Sequence, residues 1–168
     1  GRPEQVKQSL HDSLERLQTD HVEIYMLHCW FKDVPIAETL GALTEEVKAG
    51  RIRTIGCSNF TADQVREAQA ASTTLGLERI NSVQPSFSLA DSRAGEDLLP
   101  YCSQHGIATI TYSPLAAGFL TGKYTPGGDI PKGTRFDVAP AHTNVYFSDR
   151  NFRIVQNLNA LSAETGEA

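Results

Sequence analysis

Polar residues able to do chemistry recur at near-regular intervals along this chain. His28, Ser58, Gln84 and Tyr112 each close a short apolar run, at successive separations of 30, 26 and 28 positions, and Asn59 and Ser113 adjoin two of them. An imidazole titrates near neutral pH and can polarise or protonate a substrate oxygen. Serine, asparagine and glutamine offer donors and acceptors without charge, and a tyrosine offers a ring face for stacking. Residue type alone leaves other roles open. A strand-end histidine is more often a hydrogen-bonded core residue, and Ser58, Asn59 and Gln84 serve caps and turns as readily as binding. Tyr112 fits a buried strand end equally well.

Metal and nucleotide chemistries of other kinds are disfavoured. His11, His21, His28, His105 and His142 are scattered without HxH or HExxH spacing, and Cys29, Cys57 and Cys102 form no CxxC pair, so no metal is expected. The cysteines are expected to be reduced thiols of a cytoplasmic protein. No strand end carries G-x-G-x-x-G, and Gly122-Lys123 is followed by Tyr124 rather than Ser or Thr, which argues against Rossmann and P-loop sites. A net charge of -5 with mixed signs provides no cationic face for nucleic acid, and no apolar run is long enough to span a membrane.

The elements that must position these residues are legible from periodicity. Val6, Leu10, Leu14 and Leu17 make an amphipathic stripe over 3–17, with Pro3 suited to a first helical turn. Residues 22–27, 52–57, 80–84 and 107–112 are β-prone runs. Between them lie a stripe of Ile36, Leu40, Leu43 and Val47 closed by Gly50, a helix announced by a Thr61/Gln64 capping box with a Phe60/Val65 staple, and a helix ending near His105-Gly106. In that last helix Pro100 marks either a kink or the first turn. One helix per strand implies parallel pairing and an α/β fold, with His28, Ser58, Asn59, Gln84, Tyr112 and Ser113 gathered at the carboxyl edge where such folds bind ligands. Residues 113–147, rich in Gly and Pro, are expected to form a long irregular loop, followed by a Ser148-capped helix bearing Phe152, Val155, Leu158 and Leu161.

Four stretches carry a family resemblance: Leu27-His28, the run Ala49 to Phe60 containing GRIRTIGCSNF, the pair Gln84-Pro85, and the run Tyr112 to Tyr124, YSPLAAGFLTGKY. In order and spacing they resemble the aldo-keto reductases, from the first helix to about residue 124 and loosely beyond. The resemblance implies a partial TIM (β/α)8 barrel, about four consecutive βα units preceded by a helix, since 168 residues are short for a whole barrel. It implies NADPH-dependent reduction of an aldehyde or ketone, with His28 catalytic beside the substrate carbonyl. Ser58, Asn59 and Gln84 would hold the nicotinamide carboxamide, and Tyr112 would stack on its ring. Ser113, Leu115 and Lys123 would lie near the cofactor pyrophosphate, although an exposed lysine is commonly only a solvated charge.

The departures shape the expectation as much as the matches. The family's Asp, Tyr and Lys, of which the tyrosine gives the proton, belong to strands before the first helix seen here, and its adenosine-phosphate segment follows residue 168. The expectation is therefore one partial reductase domain over 1–168, with 113–147 as a cofactor-side loop, and a native chain that starts earlier. By itself the chain would be inactive, with exposed sheet edges open to self-association. A non-catalytic subunit on the same scaffold, like the potassium-channel β subunits that resemble this family, is the competing reading. Cys29-Trp30-Phe31-Lys32 replaces the Pro-containing turn common in relatives, so Trp30 either lines the substrate pocket or packs.

Overall fold

The computed structural model describes residues 1–167, which form two compact units: Gly1–Pro85 with Ala94–Thr111, and Ser86–Arg93 with the chain from Tyr112 onward. The first unit is the α/β layer. Its elements run α1 (Pro3–Leu17), β1 (Val22–Leu27), α2 (Ile36–Lys48), β2 (Ile52–Ser58), α3 (Ala62–Leu75), β3 (Ile80–Gln84), α4 (Leu98–Gln104) and β4 (Ala108–Thr109). The strands form one sheet in the order β1-β2-β3-β4, parallel throughout, which is the arrangement expected of consecutive βα units of a barrel.

Apolar periodicity builds this unit. Leu10 of α1, Leu40 and Leu43 of α2, Val65 and Ala68 of α3, and Ile55, Cys57 and Ile80 of the sheet are all fully buried in one cluster. Both strand faces of a parallel sheet need cover, and the helices supply it on the side of Ile55 and Cys57. Leu17, assigned by its spacing to the buried stripe of α1, is instead 64% exposed: the helix closes there, and Gln18 turns left-handed at the cap. The buried carboxylate of Glu46 accepts from Arg51 Nε at 2.5 Å, fastening the end of α2 to the chain entering β2.

The predicted capping box is present. Thr61 Oγ1 accepts from the Gln64 amide at 3.2 Å, and Gln64 Oε1 accepts from the Thr61 amide at 2.9 Å, while Phe60 and Val65 are both buried. Thr61→Ala leaves an orphan amide at the start of α3 and is expected to cost about 1 kcal/mol, read as a lower urea midpoint at constant m-value. Pro100 occupies the first turn of α4, which runs Leu98–Gln104. The fourth strand is shorter than the expected 107–112. It spans Ala108–Thr109, followed by one more ladder bond from the Ile110 amide to the Val83 carbonyl at 3.0 Å. Its neighbour β3 ends at Gln84, and Pro85 has no N–H with which to continue the ladder.

The second unit is built on aromatic packing. Helical turns span 116–121 and 140–142, with α5 (Arg135–Val138), α6 (Thr143–Tyr146) and α7 (Asp149–Thr165). The stretch 113–147, expected as irregular, is thus a string of short turns whose Phe119, Tyr124, Phe136 and Tyr146 are buried together with Phe152 and Val155 of α7. Helix α7 starts as predicted, Ser148 Oγ accepting from the Asn151 amide at 3.3 Å, and ends on left-handed Gly166. Leu161, expected on its buried side, is exposed. Among the described residues, no helix is long and apolar enough to cross a membrane, and no group of three or more His, Cys, Asp or Glu side chains is placed to hold a metal.

Candidate active site

Parallel register carries the polar residues of the first unit to one edge. Leu27 pairs with Cys57 and Ser58 with Gln84, so the carboxyl ends of β1, β2 and β3 lie side by side. Ser58 is buried and donates through Oγ to the Gln84 carbonyl at 2.8 Å. Asn59 follows with a φ of 58°, a left-handed conformation that asparagine tolerates better than most residues and that turns the chain from β2 toward α3. Its amide N–H approaches the same Gln84 carbonyl at 3.4 Å, while its side-chain Nδ2 donates to the His28 carbonyl at 2.9 Å and to Ser58 Oγ at 3.2 Å. His28, Ser58, Asn59 and Gln84 are therefore joined in one hydrogen-bond network across three strands.

His28 itself is exposed, as is Asn59, and Gln84 is half-buried. The groups joined in this way, a hydroxyl, a side-chain carboxamide and two main-chain carbonyls, are uncharged donors and acceptors. Trp30, two residues beyond His28, packs edge-on against Phe60 with ring centroids 5.2 Å apart. Periodicity had placed Phe60 in a helix staple, but its role as the platform for Trp30 was not foreseen. The signal was there in outline, since an apolar ring directly after a strand-end Asn has both sides to fill. Beside Trp30 an open cavity of about 510 Å³ is lined by Val34, Pro35, Ile36 and Glu67, among others.

The remaining predicted residues belong to the second unit. Tyr112 forms a parallel bridge with Ser86, and its carbonyl accepts from the Phe87 amide at 3.1 Å. Its phenol is partly exposed, yet burial, followed by the nearby Tyr146 and Asp91, pushes its pKa above the ordinary value, so it is a neutral ring at physiological pH. Ser113 is left-handed with a φ of 58°, and Ala116, Ala117 and Gly118 continue with positive φ. The Ala116 amide donates to the Ser113 carbonyl and the Gly118 amide to the Leu115 carbonyl, each at 2.9 Å, so these two amides stabilise the loop itself. Leu115 is exposed. Lys123 Nζ lies 5.5 Å from the Tyr124 ring centroid and so close over Gly118 that a Cβ there would stand 3.3 Å from it.

Comparison with known proteins bears on the family and the fold. The chain matches the family model described as Aldo/keto reductase family over residues 1–167. It is 38% identical over 134 residues to the NADH-specific methylglyoxal reductase of Escherichia coli, covering 75% of this chain and 39% of that protein. It is 31% identical over 162 residues to the aldo-keto reductase yakc [NADP(+)] of Schizosaccharomyces pombe, covering 96% and 46%. Among solved structures it is similar to the glycerol dehydrogenase AKR11B4 of Gluconobacter oxydans, with a TM-score of 0.76 and 25% identity over 99% of this chain and 49% of that one. The chain thus spans less than half the length of each of these relatives. A family match running from the first helix to the last, on a sheet of parallel βα units, leads to one conclusion: this chain belongs to the aldo/keto reductase family.

Proposed function

We propose that the protein carrying this chain reduces an aldehyde or ketone to an alcohol with NADPH, and that residues 1–168 are part of its reductase domain. The observation that carries the reading is the network of His28, Ser58, Asn59 and Gln84 at the carboxyl ends of three adjacent strands. When bound, the reduced nicotinamide supplies a hydride. Ser58, Asn59 and Gln84 hold the carboxamide and so fix the ring's position, while Tyr112 presents a neutral ring face for stacking. The His28 imidazole orients the substrate carbonyl and stabilises negative charge growing on its oxygen. Ser113, Leu115 and Lys123 take the pyrophosphate, where the lysine's charge offsets the phosphates.

Protonation of the alkoxide needs a donor beyond His28, and no residue of these 168 matches the family's proton-donating tyrosine. The chain alone is therefore expected to bind cofactor but turn over little. The names of the relatives divide on the cofactor, one NADH-specific and one NADP(+), so both nicotinamides belong in the test.

Titrating the chain with NADPH and NADH, followed by the emission of its single tryptophan, Trp30, tests binding. Saturable quenching is expected, and Gln84→Leu, by removing one neutral hydrogen-bonding group, is expected to weaken binding by up to about tenfold. Absence of saturable binding by either cofactor overturns the cofactor assignment. For the longest natural product containing this chain, consumption of NADPH with methylglyoxal or another small aldehyde is the expected result. Tight binding without turnover there would make it a non-catalytic cofactor-binding subunit.

A further inference from the structure

The turn after β2 grips the loop after β1 at two independent points. Asn59 Nδ2 donates to the His28 carbonyl at 2.9 Å, and the Phe60 ring meets the Trp30 ring edge-on at 5.2 Å. We propose that Asn59 is a positioning residue for His28, and that Asn59 and Phe60 together clamp the His28–Trp30 loop, so that the segment assigned to the nicotinamide also sets the conformation of the segment assigned to the carbonyl. The inference rests on the cofactor reading for its functional meaning but not for its geometry.

The local chemistry favours such a clamp. His28 to Trp30 lie past the last paired residue of β1, so backbone pairing with β2 no longer holds them. Asn59 is held in turn, because its Nδ2 also donates to Ser58 Oγ, and Ser58 Oγ donates to the Gln84 carbonyl of β3. A side chain tied to a buried serine is a firmer anchor than a freely rotating surface amide. Phe60 is 5% exposed and is fixed by the staple of α3, so its ring cannot follow Trp30 if the loop moves. Both contacts are thus made by anchored groups in the turn between β2 and α3 to a segment with little backbone support of its own.

The test uses three substitutions. Asn59→Gly accepts a φ of 58° without strain and removes the donor. Asn59→Asp keeps size and left-handed tolerance but sets an acceptor against the His28 carbonyl. Phe60→Leu keeps an apolar staple but loses the ring. Trp30 is the single tryptophan, so acrylamide quenching of its emission reports the loop directly, and the His28 imidazole signals in a proton–nitrogen NMR spectrum report the histidine.

In cofactor-free protein, each Asn59 variant is expected to raise the open population of the loop about fivefold, the factor corresponding to one net hydrogen bond. That increase appears as faster quenching of Trp30 together with displaced His28 signals. Phe60→Leu is expected to raise Trp30 quenching with a smaller displacement of His28. Far-UV circular dichroism should stay at the parent value for Asn59→Gly, whose backbone is unstrained. Unchanged Trp30 quenching and unchanged His28 signals in a folded Asn59→Gly chain overturn the clamp. NADPH and NADH titrations of the parent chain separate the two readings. Loop effects without cofactor binding leave the clamp standing and remove the cofactor assignment, whereas binding without loop effects does the reverse.

Discussion

Phe119→Ala is expected to unfold the second unit's core, at a cost of about 3–5 kcal/mol. Phe119 is 1% exposed, and its ring lies 5.1 Å from Phe152, 5.3 Å from Phe147 and 6.3 Å from Tyr124 by centroid. Tyr124 and Phe147 pack in turn against Phe136, whose ring also meets Tyr146, and Phe152 packs against Phe147, so the space left by the lost side chain cannot be closed by small rotations. Total stability of a domain this size is about 5–15 kcal/mol, and apart from α7 the elements around Phe119 are turns of four to six residues with little helix of their own to fall back on. Limited proteolysis should therefore cut the variant first between 113 and 147 while leaving β1 to β3 protected. Val138→Ala, at a residue 74% exposed in the same stretch, serves as the control and should change little. Equal resistance of the Phe119→Ala and parent chains to protease would show that the aromatic cluster does not hold this unit together.

Thiol reactivity should separate the cysteines sharply. Burial, with a further contribution from the neighbouring Cys102, pushes the Cys57 thiol up to about 12, and burial raises Cys102 as well, whereas Cys29 is exposed. At pH 8 a thiol shifted from 9.0 to about 12 holds roughly a thousandfold less thiolate, the reactive form. One equivalent of a thiol reagent should be taken up by the native chain and three after denaturation, with Cys29 carrying the native label. The same shift has a consequence for stability. Between about pH 9 and 12 the unfolded chain ionises Cys57 while the folded chain keeps it protonated, so the unfolded state binds fewer protons and stability falls as pH rises through that window. Below pH 9 the contribution is fully present. Cys57→Ala should flatten this alkaline loss, and an unchanged slope in the variant would contradict the assignment.

Periodicity settled most elements of the first unit because their apolar residues face one continuous core. The stripe of α1 with Leu10, the stripe of α2 with Leu40 and Leu43, the β-prone runs and the Thr61/Gln64 box each depend on neighbours a few positions away, so local sequence suffices to specify them. The same logic placed His28, Ser58, Asn59 and Gln84 at strand ends, and the parallel register brought them to one edge. Leu17 and Leu161 were misassigned because a stripe states which face is apolar and not where the covering partner stops. The fourth strand was overextended because its length is set by its neighbour, and Pro85 ends that ladder from the other side.

By itself, then, the sequence determined the family, the α/β order and the residue types at the site, all encoded in short-range pattern and in four local motifs. Tertiary structure alone decided three things: that Asn59 reaches across to the His28 carbonyl, that Phe60 carries Trp30, and that Phe119 gathers rings from as far along the chain as Phe152. Each joins residues about thirty positions apart through side-chain direction and distance, which no periodicity within one element records.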